Sequence, residues 1–259
     1  MAEQLADAVA AIAAEAGALA MARWETDFAR WEKAPGQPVC AVDIEVNILL
    51  RDRLSALLPT AGWLSEETAD NRDRLAHRQV WVVDPIDGTR DYLRARPGWA
   101  VSVALVEDGQ PVLGVLDAPA RGEVWRAAAG AGATLSGKPI RAGARGDFAG
   151  ARVPTDALSD IDADLVAVPK PNSIALRIAM VAADQADLVA TLRWGHEWDI
   201  AAAVLIAREA GAAVSDAHGR PLVFNTASAQ AFGVLATAPP IHAAAVARLA
   251  DRAQAIAPN

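Results

Sequence analysis

The start of the chain places apolar side chains three to four positions apart in two stretches separated by a turn. Residues 2–29 are rich in Ala and Leu, with acids early and Arg23 and Arg30 late, which suits helix propensity and the helix dipole. Residues 42–58 repeat the spacing. The pattern predicts a long opening helix and a second helix, with the Pro- and Gly-containing residues 33–38 as the turn between them.

Short apolar runs bounded by turn residues follow. They predict a strand at residues 62–64 leading into an acidic loop, a buried strand at residues 80–83, and an antiparallel meander at residues 101–106, 112–116 and 123–127. The second half alternates predicted strands at residues 165–168, 187–192 and 232–236 with predicted helices at residues 173–183, 199–210 and 241–255. Helices packed on sheets in an α/β (α+β) fold produce this alternation.

The Gly-rich stretch at residues 130–146 is the candidate boundary between two halves. We therefore expect residues 1–137 to form an N-terminal subdomain with an antiparallel sheet. Residues 138–259 are expected to form a C-terminal α/β subdomain with a mixed sheet.

Composition limits the partners of the chain. The 24 Lys and Arg against 32 Asp and Glu give a net charge of −8 without a basic block, which argues against a nucleic-acid polymer or an anionic membrane surface as partner. Asp7 and Glu15 interrupt the apolar residues 5–22, and no basic region precedes them, so we expect neither a signal nor a membrane segment. The single cysteine, Cys40, excludes an internal disulfide. We expect a cytoplasmic protein.

The candidate chemistry lies in the hexapeptide Asp84-Pro-Ile-Asp-Gly-Thr89, where the buried strand ends. Two carboxylates three residues apart can converge on hard cations, which prefer oxygen ligands. Gly88 and Thr89 can open a helix whose N–H groups face an anion, so that metal and phosphate sites adjoin. The alternative is a helix N-cap made by Asp87 or Thr89, with Asp84 merely ending the strand.

Further acids stand at comparable junctions. Glu66 and Glu67 follow a predicted strand, Asp43 follows a turn, and Asp199 begins a predicted helix. Taken one at a time, they are also explained as a solvated loop, a helix N-terminal acid and a helix cap.

Four phrases, at residues 38–43, 65–68, 84–89 and 197–202, together resemble the ordered signatures of the inositol monophosphatase superfamily. This superfamily also contains 3′(2′),5′-bisphosphate nucleotidases, fructose bisphosphatases and histidinol phosphatases. The resemblance covers nearly the whole chain and implies a layered α-β-α-β-α sandwich with the active site at the junction of its halves.

The resemblance also implies roles for the acids. The residues that would hold two or three Mg²⁺ ions are Glu66, Asp84, Asp87, Asp199 and Ile86, the last through its carbonyl. Asp43 and Thr89 would orient the attacking water, Gly88 and Thr89 would steady the phosphoryl oxygens, and Glu67 would support the metal site. A phosphomonoesterase of this kind requires no covalent nucleophile.

The substrate is expected from the second half, where Lys170, Arg177 and Glu197 can rim the metal site. Glu197 before Trp198-Asp199 resembles the bisphosphate nucleotidase branch, which implies Li⁺-sensitive hydrolysis of adenosine 3′,5′-bisphosphate. An inositol-1-monophosphatase and a histidinol phosphatase, suggested by Arg90, are the enzymatic alternatives. The non-enzymatic alternative is a silent metal- or phosphate-binding module. The resemblance also makes a homodimer plausible.

One residue departs from the family pattern. Cys40 stands where the family usually has Thr, so a thiol replaces a hydroxyl that helps to order the turn before Asp43. Cys40 is not expected to be a catalytic thiol, because no sequence feature supplies a histidine partner.

Overall fold

Within residues 2–34 and 37–257, the part of the chain that the computed structural model describes, there are six α-helices and sixteen β-strands. The helices are α1 (Ala2–Arg23), α2 (Ala41–Leu57), α3 (Thr89–Leu93), α4 (Ile174–Ala182), α5 (Ala201–Glu209) and α6 (His242–Ile256). The strands are β1 (Arg30–Ala34), β2 (Gln37–Cys40), β3 (Gly62–Ser65), β4 (Gln79–Asp87), β5 (Ala100–Glu107), β6 (Gln110–Ala118), β7 (Glu123–Ala128), β8 (Ala133–Leu135), β9 (Lys138–Pro139), β10 (Arg152–Pro154), β11 (Val166–Val168), β12 (Leu188–Ala190), β13 (Trp194–His196), β14 (Ala213–Ser215), β15 (Gln230–Phe232) and β16 (Leu235–Thr237).

A seven-stranded sheet forms the centre of the first half, with the strands β3 to β9 side by side in chain order. The β3–β4 pair is parallel and every following pair is antiparallel, which confirms the predicted meander. Along β4, Val80 and Val82 belong to one buried cluster and Trp81 and Val83 to another. This alternation follows from the two-residue period of a strand, and it gives the sheet two covered faces.

Helices cover both faces of this sheet. Helices α1 and α2 pack on one face, and α4 and α5 pack on the other. Beyond α4 and α5 lies a three-stranded antiparallel sheet of order β12–β16–β14, and α6 contacts its central strand. The order of layers is therefore α-β-α-β-α, which confirms the predicted architecture.

Helix α1 buries one stripe of small side chains against the sheet and α2. The stripe consists of Ala6, Val9, Ala13, Ala16 and Ala20, at alternating spacings of three and four residues. By length and composition Glu3–Arg23 would also suffice to cross a membrane, a test that core helices and signal sequences pass as well; 33% of its apolar window is buried in the protein.

The prediction that the opening helix reaches residue 29 is wrong. Helix α1 ends at Arg23, whose carbonyl accepts a hydrogen bond from Thr26 Oγ1 (2.6 Å), and Glu25 turns the chain with a φ of 64°. The chain then forms the β1–β2 hairpin, in which Arg30 pairs with Cys40. Local helix propensity loses to this turn and strand pairing. Of the predicted turn at residues 33–38, residues 35 and 36 lie outside the described residues.

The strands of the second half form small sheets. β10 and β11 pair in parallel, whereas β13 and β15 pair antiparallel. The division into residues 1–137 and 138–259 stays a prediction, and β9 still pairs within the sheet of the first half.

Candidate active site

Two carboxylates meet because β3 and β4 are parallel neighbours. Ser65 pairs with Val83, and the Glu66 N–H donates to the Val83 carbonyl (3.2 Å). Glu66 and Asp84, the next residue on each chain segment, therefore lie side by side, since parallel strands have their carboxyl ends at the same edge of the sheet. A register shift between Asp84 and Asp87 interrupts the pairing of β4 with β5 there.

Asp199 of the second half completes this group. It precedes α5, and its carboxylate accepts a hydrogen bond from the backbone of His196. One oxygen from each of Glu66, Asp84 and Asp199 lies within 4.8 Å of the other two, so these three side chains can hold a metal ion. The fold thus brings together acids that are far apart in the sequence.

The electrostatics of these acids are those of crowded, buried charges. Burial raises the pKa of Asp84 well above its usual range, and the charges of Glu66 and Asp87 raise it further. Burial followed by Asp87 and Glu66 likewise raises the pKa of Asp199. Such mutual repulsion in a low-dielectric site is relieved by a divalent cation, so the donor set fits a hard metal ion.

Asp87 is buried and points towards the start of α4. Its Oδ2 accepts hydrogen bonds from Ser173 Oγ (2.5 Å) and the Ala175 N–H (2.7 Å), and its Oδ1 accepts a longer one from Ile174 (3.4 Å). Burial raises the pKa of Asp87 although these hydrogen bonds lower it. The N-cap of α3 is Gly88 without a side-chain cap, so the alternative that Asp87 or Thr89 caps this helix is wrong.

Gly88 has to be glycine at the turn into α3. Its φ is 98°, and a Cβ there would lie 2.6 Å from the Gly98 carbonyl oxygen and 2.9 Å from the Ser173 nitrogen. Thr89 Oγ1 donates to the Ile86 carbonyl (3.0 Å), and the Ile86 N–H donates to Asp84 Oδ1 (3.0 Å). The hexapeptide is therefore a hydrogen-bonded turn fixed against α4.

Asp43 sits at the third position of α2. Its buried carboxylate accepts a hydrogen bond from the Cys40 N–H (2.7 Å), so it serves as the predicted helix N-terminal acid. Burial raises the pKa of Asp43 to about 7, against the effect of its hydrogen bonds with Cys40. The charges of Glu67 and Glu66 add to this rise, which indicates that Asp43 lies near the acidic cluster.

A polar cluster that the sequence analysis missed holds the turn carrying Glu66 and Glu67. Ser65 Oγ donates to Asn47 Oδ1 (2.7 Å) and accepts from the Glu67 N–H (3.3 Å). Thr68 Oγ1 accepts from Asn47 Nδ2 (3.1 Å) and from the Trp63 indole (3.2 Å). Only the motif Ser65-Glu66-Glu67-Thr68 hinted at this, whereas Asn47 carried no signal.

The acids open into a cavity of about 490 Å³. Its lining includes Glu66, Asp84, Ile86, Asp87, Gly88, Thr89 and Asp199. Four cationic side chains line it as well: Arg90, Lys170, Arg177 and Arg193. Lys170 and Arg177 thus line this cavity, and their substrate-binding role stays a prediction, while Arg193 is a lining residue that the sequence analysis did not single out.

The half-buried Arg177 donates through Nη2 to the Asn172 carbonyl (2.7 Å) and through Nε to the Ser173 carbonyl (3.3 Å). Burial lowers its pKa, Asp87 opposes this, and Arg193 lowers the pKa again. Lys170 Nζ lies 2.6 Å from Asp156 Oδ2. Two arginines that repel each other on one cavity wall form a favourable position for an anion.

The expected substrate contact of Glu197 is wrong, because its side chain is fully buried and does not line this cavity. The carboxylate is fully buried and accepts hydrogen bonds from the backbone of Asn225 and Thr226. The adjacent His196 and Trp198 do line the cavity, with their rings stacked at 4.3 Å and 5°.

The model of the inositol monophosphatase family matches residues 1–255. The chain belongs to the inositol monophosphatase family. It is 37% identical over 193 residues to "Nus factor SuhB" of Xylella fastidiosa, covering 69% of this chain and 68% of that one.

Further relatives of this family member carry other names. The chain is 33% identical to "Inositol-1-monophosphatase" of Rhizobium meliloti (72% of this chain, 75% of the relative). It is 31% identical to "3′(2′),5′-bisphosphate nucleotidase CysQ" of Escherichia coli K12 (74% and 82%). A solved Thermotoga maritima IMPase superposes with a TM-score of 0.83 at 27% identity, covering 97% of this chain and 98% of that chain.

The family decides the class of reaction. This chain is a phosphoric monoester hydrolase of a metal-dependent family, acting on a phosphorylated small molecule.

Proposed function

We propose that this phosphatase uses Mg²⁺ to remove the 3′-phosphate from adenosine 3′,5′-bisphosphate. The observation that carries the proposal is the set of four cationic side chains on the wall of the acidic cavity. When one phosphate lies at the carboxylate cluster, a second phosphate on the same substrate can pair with these cations, because arginine pairs with phosphate through directed hydrogen bonds.

In this proposal Glu66, Asp84, Asp87, Asp199 and the Ile86 carbonyl hold two or three Mg²⁺ ions. The bound ions supply the positive charge that offsets developing negative charge on the phosphoryl oxygens and eases proton loss from water. The described cluster of Glu66, Asp84 and Asp199 supports one such position, and Asp87 lines the same cavity.

The chain's own residues orient the reactants. Asp43 and Thr89 orient the attacking water. The N–H groups of Gly88 and Thr89, at the start of α3, steady the phosphoryl oxygens. Glu67 supports the metal position beside Glu66.

The 5′-phosphate and the purine of the substrate contact side chains away from the carboxylate cluster in this proposal. Lys170, Arg177 and Arg193 receive the 5′-phosphate on one side of the cavity. The stacked His196 and Trp198 offer a flat aromatic surface, which suits a purine better than a cyclohexanol ring.

Inositol 1-phosphate is the second candidate substrate, because a relative at 33% identity is named for it. It carries one phosphate and no flat ring, so it leaves the arginines of the cavity unused. Histidinol phosphate, which the Arg90 position suggests, also has one phosphate.

A substrate panel tests the proposal. We would measure phosphate release with Mg²⁺, with and without Li⁺, from adenosine 3′,5′-bisphosphate, inositol 1-phosphate, fructose 1,6-bisphosphate and histidinol phosphate. The highest kcat/KM on the nucleotide, suppressed by Li⁺, is the expected result. A higher kcat/KM on inositol 1-phosphate would keep the reaction and overturn the substrate.

Charge variants locate the second phosphate. Arg193→Gln should raise KM for the nucleotide by about ten- to a hundredfold, the effect of losing a charge-assisted hydrogen bond, and leave KM for inositol 1-phosphate unchanged. Arg141→Gln is the matched control, because Arg141 is exposed and outside this cavity. Equal losses on both substrates would contradict the assigned contact.

A silent binding module is distinguished by Asp87→Asn, which should abolish turnover and leave the fold intact by circular dichroism. Full activity in this variant would exclude the proposed metal mechanism. The homodimer and the cytoplasmic location stay predictions.

A further inference from the structure

A polar network with Glu197 and Arg74 as its buried members connects the two segments that carry Glu66 and Asp199. It begins at Glu197, which is fully buried two residues before Asp199. Glu197 Oε1 accepts hydrogen bonds from the Thr226 N–H (2.9 Å) and from Thr226 Oγ1 (2.5 Å), and Oε2 accepts one from the Asn225 N–H (2.6 Å). Glu197 thereby fixes the loop at residues 225–226.

The same loop is held from its other side by Arg74, which is buried with 1% of its surface exposed. Arg74 Nη1 donates to Asn225 Oδ1 (2.6 Å), and Nη2 donates to the Thr226 carbonyl (2.9 Å). Asn225 Nδ2 returns a hydrogen bond to the Arg74 carbonyl (3.3 Å). These contacts join parts of the chain that are far apart in the sequence: Arg74 is 151 positions from Asn225 and 152 positions from Thr226.

The network ends at Asp70, four residues after Glu66. The Asp70 carboxylate accepts hydrogen bonds from Arg74 Nε (3.1 Å) and Nη2 (2.8 Å), which form a bidentate ion pair. The backbone of Glu197 also contacts α5, because its carbonyl accepts a hydrogen bond from the Ala201 N–H (2.9 Å) at the start of that helix. One end of the network therefore lies two residues from Asp199 in the sequence, and the other lies four residues from Glu66.

One cation links both ends of the network. Arg74 pairs with the Asp70 carboxylate and donates to the loop at residues 225–226 that Glu197 holds. Hydrogen bonds of buried groups such as Arg74 and Glu197 are costly to break in a low-dielectric interior, so the network resists displacement. Rigidity is needed here, because one oxygen from each of Glu66, Asp84 and Asp199 must stay within 4.8 Å of the other two to hold one metal ion.

We propose that Glu197, Asn225 and Arg74 are positioning residues that hold Glu66 and Asp199 at the separation at which both bind one metal ion. The inference rests on the proposed role of Glu66 and Asp199 as metal ligands. Groups behind metal ligands of other proteins typically change metal affinity ten- to a hundredfold when mutated. We expect the same size of effect, although no member of the network lines the cavity.

The test is the binding of Mn²⁺ to metal-free protein, measured by electron paramagnetic resonance of the free ion. Glu197→Gln and Asn225→Gly should each weaken Mn²⁺ binding about tenfold. Glycine is chosen because Asn225 has a φ of 57°, which glycine adopts without strain. Asn225→Asp keeps the acceptor for Arg74 and should restore much of the affinity.

Two controls separate positioning from stability and from the ligand role. Arg152→Gln breaks the ion pair to buried Asp187 outside this cavity, and it should lower the melting temperature while leaving Mn²⁺ affinity unchanged. Glu66→Gln should lose Mn²⁺ binding at this site.

The outcomes are distinct. If Glu66→Gln binds Mn²⁺ as the wild type does, the proposed metal site is wrong. If Glu66→Gln loses binding but Glu197→Gln and Asn225→Gly keep it, only the positioning role is wrong. A loss in Asn225→Gly no larger than in Arg152→Gln, or no recovery in Asn225→Asp, would also overturn the inference. If Glu197→Gln does not fold, the comparison of Asn225→Gly with Asn225→Asp alone tests the positioning role.

Discussion

At the scale of single residues, Cys40 shows how burial decides chemistry. The thiol is fully buried at the start of α2 beside Asp43. Burial, followed by the negative charge of Asp43, raises its pKa to about 12. Because the thiolate is the nucleophile, such a cysteine is inert, in agreement with the expectation that it has no catalytic role.

We therefore predict that a thiol reagent such as 5,5′-dithiobis(2-nitrobenzoate) leaves the native protein unmodified at pH 8 and modifies one thiol per chain after unfolding in guanidinium chloride. The absorbance of the released thiolate measures both states. Cys40→Thr restores the usual residue of the family and should keep phosphatase activity. Rapid modification of the native protein, with loss of activity, would contradict this prediction.

Asp117 is a buried carboxylate of β6 outside the acidic cluster. Its Oδ2 lies against Gly17 of α1, where a Cβ would come within 1.8 Å, and this oxygen has no hydrogen-bond partner among the described residues. Burial raises its pKa to about 6 from an ordinary 3.8. The folded protein thus binds this proton more tightly than the unfolded chain, so the contribution to stability is present at acid pH and is lost as pH rises from about 4 to about 6.

Asp117→Asn should remove this loss. We expect the variant to gain melting temperature over the wild type by several degrees at pH 7.5 and by clearly less at pH 4.5. The shift of about two units corresponds to about 3 kcal/mol at most. Differential scanning calorimetry at both pH values measures the difference. A difference in melting temperature between variant and wild type that does not change with pH would show that Asp117 does not titrate in this range.

How much of the site can be predicted from the sequence depends on the kind of contact. Glu66, Asp84 and Asp199 stand next to strand and helix ends, so local pattern and family resemblance both indicate them. Arg193 has no such mark, because only the folding of the second half brings it to the cavity. Glu197 carries a motif signal, yet its partners Asn225 and Thr226 are distant in sequence, and hence its burial outside the cavity lining could not be predicted.

At the scale of elements, the approach of α5 to the central sheet fixes Asp199. Gly114 of β6 lies under Ala202 of α5: a Cβ on Gly114 would be 2.7 Å from the Ala202 carbonyl oxygen and 3.1 Å from its Cα. Both atoms belong to the backbone of a helix, so the neighbour cannot give way without moving the helix. The close packing of these elements therefore depends on glycine.

Gly114→Ala should displace α5 and cost about 1–3 kcal/mol, as overpacking does. Activity should fall as well, because Asp199 lies just two residues before the start of this helix. Gly146→Ala is the matched control, since a Cβ there meets nothing within 4 Å, and it should be neutral or slightly stabilising. Thermal unfolding and phosphate release measure the two effects. Unchanged melting temperature and activity in Gly114→Ala would contradict the close approach.

The elements were predicted well where pattern and turn chemistry agree. Strands β5, β6 and β7 lie where alternating apolar runs end at Gly-containing turns. The β1–β2 hairpin was missed, because the helix-favouring composition before it hid the turn at Glu25. The parallel β3–β4 pair was also unpredictable from local pattern, although this pairing brings Glu66 to Asp84.

At the scale of the whole molecule, the fold gathers like charges from both halves at one place. Burial, and after it the charges of Glu66 and Asp87, raise the pKa values of Asp84 and Asp199. Holding ionised carboxylates together costs folding free energy at neutral pH, because the unfolded chain separates them. The metal-free protein therefore gives up stability in order to keep a binding-competent site.

This argument predicts opposite effects of one substitution in two conditions. Asp84→Asn removes the most buried of these charges, so it should raise the melting temperature of the metal-free protein. The wild type should gain stability when Mg²⁺ is added, by about 2.7 kcal/mol at a concentration one hundred times Kd, whereas Asp84→Asn should gain little. Scanning calorimetry with chelator and with Mg²⁺ measures both, and Asp251→Asn, at an exposed position of α6, is the control that should respond as the wild type does. A lower melting temperature of metal-free Asp84→Asn would mean that Asp84 stabilises the fold by itself, and an undiminished response to Mg²⁺ would place the metal elsewhere.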